Sequence, residues 1–109
     1  MPRNYTILGQ QNPAANTLTR LYGVPASNSA VISSINIANL DANGALFSIA
    51  ANVSGVAVAN ANYLAFRVLV PGNDSIALSL GVTLNASSQL SVNANSSTVS
   101  FSAFGTEIY

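Results

Sequence analysis

The sequence predicts an all-β fold, an antiparallel β-sandwich of seven to eight strands with jelly-roll-like or immunoglobulin-like connections. Apolar residues alternate with small polar residues over most of the 109 positions, which is the period of a strand with one buried face. Short breaks rich in Asn, Gly, Pro and Ser separate these stretches, as turns between antiparallel strands require. The length corresponds to one domain.

Seven strands can be placed on the sequence, and residues 5–8 are compatible with an eighth. The seven apolar-striped stretches are 17–24, 29–39, 45–53, 63–70, 75–84, and shorter ones around 90–92 and 99–101. The clearest stripe consists of Ile76, Leu78, Leu80, Val82 and Leu84. β-Branched residues are frequent in these stretches, which favours strands over helices.

The breaks between the strands have the chemistry of turns. Asn43-Gly44 tolerates positive φ and closes hairpins, and residues 71–74, Pro-Gly-Asn-Asp, are typical of a tight turn. The longest stretch without a period is 54–62, which we interpret as a loop, with a short strand at 56–58 as an option.

Residues 1–16 are interpreted as an extended N-terminal arm and tether, and residues 17–109 as the β-sandwich domain. The stretch 9–16 has no apolar pattern, and terminal segments of this kind are commonly ordered only against a neighbouring molecule. The first residues lack the apolar run of a signal peptide, so we expect synthesis in the cytoplasm without classical secretion.

The composition argues against an enzyme. The chain has no His, Cys, Lys or Trp, and its six charged residues are Arg3, Arg20, Arg67, Asp41, Asp74 and Glu107. Enzymes usually need a group that titrates near neutrality, an activated nucleophile or a metal. Asp41 and Asp74 lie in predicted turns, where a carboxylate commonly accepts hydrogen bonds from its own backbone. We therefore expect no catalytic residues, no cofactor and no metal site.

The charge balance also bears on partners. The net charge is zero, and three scattered Arg residues cannot neutralise a row of phosphates, so we expect no nucleic-acid partner. No stretch reaches the roughly 18 apolar residues of a membrane helix, so we expect no membrane partner either. A neutral surface lacks the self-repulsion that keeps proteins apart, which favours association between copies.

The stretch 63–70 is apolar on both of its faces, unlike the other strands. A strand of this kind is covered either by a loop, here 54–62, or by a neighbouring chain. We favour the neighbour and predict a subunit interface on the face that carries Tyr63, Ala65, Arg67 and Leu69. Two interpretations of Arg67 stay open. It could form an ion pair with an acid of a neighbouring chain, or it could protect an edge strand against pairing with another chain.

Two segments of the chain are familiar, residues 16–26 (NTLTRLYGVPA) and residues 99–108 (VSFSAFGTEI). They resemble the opening and the close of small virion structural proteins of marine tailed phages, especially cyanophages. The stretches 31–39, 63–66 and 78–84 fit the usual order of that family, so the resemblance extends from about residue 16 to residue 108.

The resemblance implies a virion component without enzymatic activity, specifically a capsid decoration (cement) protein that stabilises the head lattice through contacts between subunits. It further implies a position on the capsid surface, the major capsid protein as partner, and a homo-oligomer, with a trimer favoured. The resemblance supplies no motif of site residues to carry over.

An alternative is a neck- or fibre-associated sandwich that binds a host receptor or a glycan. Such a site would use loop side chains, and Tyr22 and Asn85 are the residues whose replacement by alanine tests it. The absence of Trp leaves only Tyr and Phe for stacking against a ligand.

Overall fold

The computed structural model describes residues 3–53 and 58–108 of the chain. This part contains eight strands and a 3₁₀ turn at Asn60–Asn62; the strands are β1 Arg3–Gln11, β2 Thr19–Gly23, β3 Ser29–Asn39, β4 Ala45–Val53, β5 Tyr63–Val70, β6 Asp74–Leu84, β7 Ser88–Ala94 and β8 Val99–Ile108. No helix among these residues has the length and hydropathy needed to cross a membrane.

The strands form two four-stranded antiparallel sheets that pack face to face. The first sheet has the order β1-β8-β3-β6 and the second the order β2-β7-β4-β5. Successive strands mostly cross from one sheet to the other, and this order of eight strands is that of a jelly roll. The predicted antiparallel β-sandwich is therefore confirmed. Of the two predicted connection patterns, jelly-roll-like and immunoglobulin-like, the strand order is the jelly-roll one.

The core lies between the two sheets and is built from the predicted apolar stripes. Phe47 of β4 and Phe101 of β8 meet there edge to face, with ring centroids 6.1 Å apart. Around them lie fully buried aliphatic side chains from both sheets, which are Ile32, Ile35, Ile37, Ile49, Val70, Leu90, Val92 and Val99. Because most strands contribute alternate residues to this layer, the outer faces carry mainly small and polar side chains, and β5 is the exception.

Residues Arg3–Gln11, which the sequence analysis places in the arm, form β1 and pair with β8 along their length. The strand considered for residues 5–8 is thus present and longer at both ends. β1 lacks a clear apolar stripe in the sequence for three reasons. It is an edge strand, its register shifts between Ile7 and Gly9, and it ends in the polar residues Gln10 and Gln11. The division into an N-terminal arm and tether, 1–16, and a β-sandwich domain, 17–109, stays a prediction.

The two sides of the sandwich differ in how closely the sheets approach. On one side, a Cβ atom at Gly9 of β1 would lie only 2.0 Å from the carbonyl oxygen of Leu21 in β2, so this side is closed by direct backbone contact. On the other side, Ile76, Leu78 and Val82 of β6 face the core yet remain partly exposed. Together with Val68 of β5, which is 38% exposed, these side chains show that the β5–β6 side is the more open of the two.

Asn39, at the end of β3, is a buried polar side chain that joins four segments. Only 2% of its surface is exposed. Its Nδ2 donates to the carbonyl oxygens of Asn43 and Val70, at 2.7 and 3.4 Å. Its Oδ1 accepts from the backbone N–H of Asp41 and from the hydroxyl of Thr98, both at 3.1 Å. The amide thus uses its hydrogen-bonding capacity to hold β3, two turns and the end of β5 together.

A second polar contact crosses between the sheets. The hydroxyl of Tyr22 in β2 donates to a carboxylate oxygen of Glu107 in β8 at 2.5 Å. The Tyr22 side chain is buried, with 8% of its surface exposed. Burial first, and then the hydrogen bond and negative charge of Glu107, raise the pKa of the Tyr22 phenol well above its ordinary value.

We expect this raised pKa to make the fold less stable at alkaline pH. The neutral phenol contributes fully below about pH 10, the ordinary pKa of tyrosine, because both states are then protonated. As the pH rises further, the unfolded chain loses the proton first, so the free energy of unfolding falls by up to about 1.4 kcal/mol per pH unit. Urea unfolding of the wild type and Tyr22→Phe between pH 8 and 11.5 measures this, and the wild type should decline more steeply. Parallel curves would contradict the assignment.

Candidate assembly surface

β5 is the edge strand of the second sheet and carries the largest group of exposed apolar side chains in the described part of the chain. The exposed fractions are 41% for Leu64, 60% for Phe66, 38% for Val68 and 58% for Leu69. Val68 pairs with the buried Phe47 and so faces the core, yet it too reaches solvent at the open side. β5 is therefore accessible on both faces, in agreement with its sequence pattern.

β5 does not run straight along β4, because two irregularities interrupt their pairing. Phe47 pairs with Val68 and Ile49 with Ala65, so Phe66 and Arg67 together lie opposite the single residue Ser48. Arg67 has a left-handed backbone, with φ of 51°, and its N–H donates to Ser48 Oγ at 3.0 Å. A second register shift follows between Ile49 and Ala50. Such bulges change which side chains share a face.

Three of the four predicted interface residues lie on one face of β5, and the bulges remove the fourth from it. Tyr63 pairs with Ala50 and Leu69 with Leu46, both on the outer face of the second sheet, and Arg67 lies between them beside Ser48. Ala65 instead pairs with the buried Ile49 and packs against the core.

Strict alternation would put the Ala65 side chain on the outer face of β5, but in the structure Phe66 lies there instead. Its ring meets that of Tyr63 edge to face, with centroids 4.9 Å apart. We call Leu46, Tyr63, Phe66 and Leu69 the β5 surface. That this surface is a subunit interface stays a prediction, and no feature of the sequence marks Phe66 as part of it, because the bulge depends on pairing with β4.

The apolar area exposed along β5 is large enough to matter energetically. The exposed fractions of Leu64, Phe66, Val68 and Leu69 amount to about two complete side chains, and burying one such side chain contributes about 1.5–3 kcal/mol. Covering the strand would thus contribute about 3–6 kcal/mol per copy, before the entropic cost of association is subtracted. A patch of this kind on a small protein commonly marks an interaction site.

Next to the β5 surface, the outer face of the second sheet has a small recess of about 30 Å³. We call it the Arg67 recess, and it is lined by Asn16, Leu46, Ser48, Arg67, Asn93, Ala94 and Asn95. Asn95 Oδ1 accepts from the backbone N–H of Leu46 at 3.0 Å, which leaves its NH₂ group to donate. Arg67 and Ser48, whose side chains carry further donors, also line the recess. The lining also includes the buried acceptor Asn93 Oδ1, which has no hydrogen-bond partner among the described residues, and the volume corresponds to about one water molecule. A carboxylate can therefore meet these donors only at the mouth of the recess.

The remaining polar residues singled out in the sequence have structural contacts. Asp41 Oδ1 accepts from the N–H of Ala42 at 2.7 Å, and Asp74 Oδ1 from the N–H of Ser75 at 2.8 Å, as expected for acids in turns. Within residues 3–53 and 58–108, no three acidic, His or Cys side chains gather as a metal site would require. Tyr22 is buried and bonded to Glu107, so its ring is closed to a glycan, whereas Asn85 is exposed.

Loop 54–62 is the alternative cover for β5, and the structure describes only its residues 58–62. Residues 54–57, and with them most of the optional strand at 56–58, lie outside the described residues. The loop closes with the 3₁₀ turn, in which the backbone N–H of Ala59 donates to Asn62 Oδ1 at 2.7 Å. The exposed fractions of Phe66 and Leu69 show that the described part of the loop leaves these two side chains open to solvent.

Comparison with known proteins gives few matches. No protein-family model matches the chain, and no curated protein is similar to it. Two solved structures, both of a pentameric capsid protein isolated from metagenomic phage sequences, are similar in fold. One has 18% identity and a TM-score of 0.44, with 94% of this chain and 61% of that chain covered. The other has 17% identity and a TM-score of 0.38, with 94% and 62% covered, so this chain spans about three fifths of either.

Proposed function

We propose that this chain is a non-enzymatic structural protein of a phage particle, and specifically a capsid decoration protein that stabilises the head lattice through contacts between subunits. The observation that carries the proposal is a jelly roll whose open side presents an uncovered apolar strand. Jelly rolls occur in capsid proteins, lectins and cupins. Of these three, an assembling capsid component is the class that uses an apolar outer surface rather than a polar pocket.

The state of the acidic residues supports a structural role over a catalytic one. Glu107 accepts the hydrogen bond from Tyr22, and Asp41 and Asp74 each accept from a neighbouring backbone N–H. General acid–base chemistry needs a carboxylate that is held towards a substrate. These three carboxylates instead stabilise the fold and its turns.

The partners in this proposal are further copies of the same chain and the major capsid protein. A homo-oligomer, with a trimer favoured by the sequence resemblance, would cover the β5 surface, and another face would contact the coat on the outside of the head. The small polar side chains on the outer face of the first sheet, such as Ser75, Ser79, Ser100 and Ser102, leave that face free for a flat polar contact.

The copy number in purified particles tests the proposed function. Quantitative mass spectrometry against an isotope-labelled standard gives the ratio of this chain to the major capsid protein. A ratio comparable to the coat supports a decoration protein on the lattice. A ratio far below it contradicts decoration and favours the neck- or fibre-associated alternative, and absence of the chain from particles overturns the virion role.

We expect Leu69→Asp to abolish self-association and leave the fold intact. Leu69 is 58% exposed and lies beside Leu46 and Gly44, so a carboxylate there is hydrated in the monomer but must lose its water in a contact. Association should weaken by about 100-fold or more, as sedimentation velocity over a concentration series measures. Leu18→Asp, at an exposed leucine before β2 on the far edge of the sheet, is the matched control. Equal association of both variants would remove the β5 surface as the interface.

A further inference from the structure

Arg67 is a cation without an acidic partner in the described part of the chain. No acidic side chain among residues 3–53 and 58–108 forms a salt bridge with it, although its side chain lines the Arg67 recess together with other donors. A guanidinium presents its donors in a planar fork that matches a carboxylate. The exposed Arg67 at the mouth of the recess is thus a position where an acid of another molecule can bind.

The acids that could fill such a site lie at one end of the sandwich. Asp74 is exposed at the start of β6, directly after the turn that follows β5. Asp41 is close by, because its carbonyl oxygen accepts from the N–H of Asn73 at 2.7 Å. This end therefore has two carboxylates, and the Asp74 carboxylate is the more exposed of them.

The recess and the β5 surface form one continuous area. Leu46 lines the recess and also pairs with Leu69 across the sheet. A body that covers Phe66 and Leu69 would therefore also reach Arg67. The area combines an apolar part with a single cation at its border, which is the arrangement of an interface with a hydrophobic centre and a polar rim.

We propose that a second copy of this chain packs on the β5 surface and places the carboxylate of its Asp74 against the Arg67 guanidinium at the mouth of the Arg67 recess. Two observations select a copy of this chain as the occupant. First, the uncovered apolar strand offers the same area on each copy. Second, the cation and the acids lie on different parts of one neutral molecule, so that two copies are complementary in charge. The inference rests on the proposed function only in that the chain works as an assembly of copies.

The contact is made through side chains and not by adding a strand to the sheet edge. The left-handed backbone at Arg67 and the two register shifts interrupt the row of hydrogen-bonding groups along β5. Bulges on an edge strand prevent regular pairing with another strand. Arg67 thus combines both interpretations given for it from the sequence, since its backbone blocks the edge while its side chain receives an acid.

A charge exchange tests this contact. Arg67→Asp is the suitable replacement because Asp tolerates the left-handed backbone at this position better than most residues. Arg67→Asp and Asp74→Arg should each weaken association by about tenfold or more, and the double variant should return to within about threefold of the wild type. Arg20→Asp is the matched control, since Arg20 is exposed on β2 at the far edge of the same sheet. Circular dichroism and urea unfolding confirm that each variant is folded.

The outcomes are distinct. Recovery in the double variant, with Arg20→Asp unaffected, supports the contact. Independent losses in the double variant, rescue by Asp41→Arg in place of Asp74→Arg, or a wild type that sediments as an 11.1 kDa monomer at all concentrations would overturn it. Because these measurements use the purified chain, they are separate from the copy number in particles. A chain that assembles through this pair but is missing from particles would disprove the virion role and leave the contact standing.

Discussion

Asn39→Ala is expected to lower the free energy of unfolding by about 3 kcal/mol or more, because it removes four hydrogen bonds from a buried position. The carbonyl of Val70, the hydroxyl of Thr98 and the backbone N–H of Asp41 would all lose the side chain that now satisfies them. Because Asn39 itself is only 2% exposed, water reaches these groups poorly in the folded state. Urea unfolding at pH 7, followed by circular dichroism, measures the loss.

Asn36→Ala is the matched control for this experiment. Asn36 lies on the same strand, three residues earlier, but on the outer face and only partly buried, so its loss should cost no more than about 0.5 kcal/mol. If the two variants lose the same stability, the Asn39 hydrogen bonds do not hold this end of the molecule together.

Gly105→Ala is expected to have an equally large effect for a different reason. A Cβ atom at this position would lie 2.0 Å from the carbonyl oxygen of Val31 and 3.1 Å from Cα of Ile32, both backbone atoms of the neighbouring strand β3. The register between β3 and β8 shifts between Ile32 and Ser34, so β3 bulges against Gly105. The added methyl group would force two central strands apart, at an expected cost of about 3 kcal/mol or more.

Gly81→Ala provides the comparison for Gly105→Ala. Gly81 of β6 has a φ of +61° and nothing within 4 Å of the added Cβ, so only the backbone conformation opposes the substitution. That cost is about 1 kcal/mol. In thermal and urea unfolding, Gly105→Ala should therefore be much less stable than Gly81→Ala. The reverse order would mean that β3 moves aside more easily than its position in the middle of the sheet indicates.

Much of the fold follows from the alternation of apolar residues. The predicted stretches 29–39, 45–53 and 63–70 coincide with β3, β4 and β5, because each has one face that is buried in the core. β1 could not be predicted in full, since an edge strand with a bulge and polar ends has no such face. The pairing of β1 with β8 depends on contacts between distant segments, which a local pattern does not contain.

The sequence predicts which strand carries the candidate surface, but not which of its side chains form that surface. The apolar residues on both faces of 63–70 indicated an uncovered strand, and Phe66 and Leu69 are indeed exposed. The inward turn of Ala65 and the left-handed backbone of Arg67 arise from the way β5 pairs with β4 around Ser48. No propensity favours positive φ at an arginine, so tertiary pairing overrides the local preference.

The strand order has a consequence for how the molecule reaches its folded state. Among the pairs of neighbouring strands in the two sheets, only β4 and β5 follow each other in the chain. Every other pair must close a longer loop, up to the pairing of Arg3 with Ile108 between β1 and β8 at the two ends of the described chain. Chains with so many distant contacts fold slowly, since the entropy of loop closure is lost before the contacts compensate for it. The β4–β5 hairpin is the pair with the shortest connection, so we expect the strand that carries the candidate assembly surface to form early and to stay exposed while the rest of the sandwich is completed.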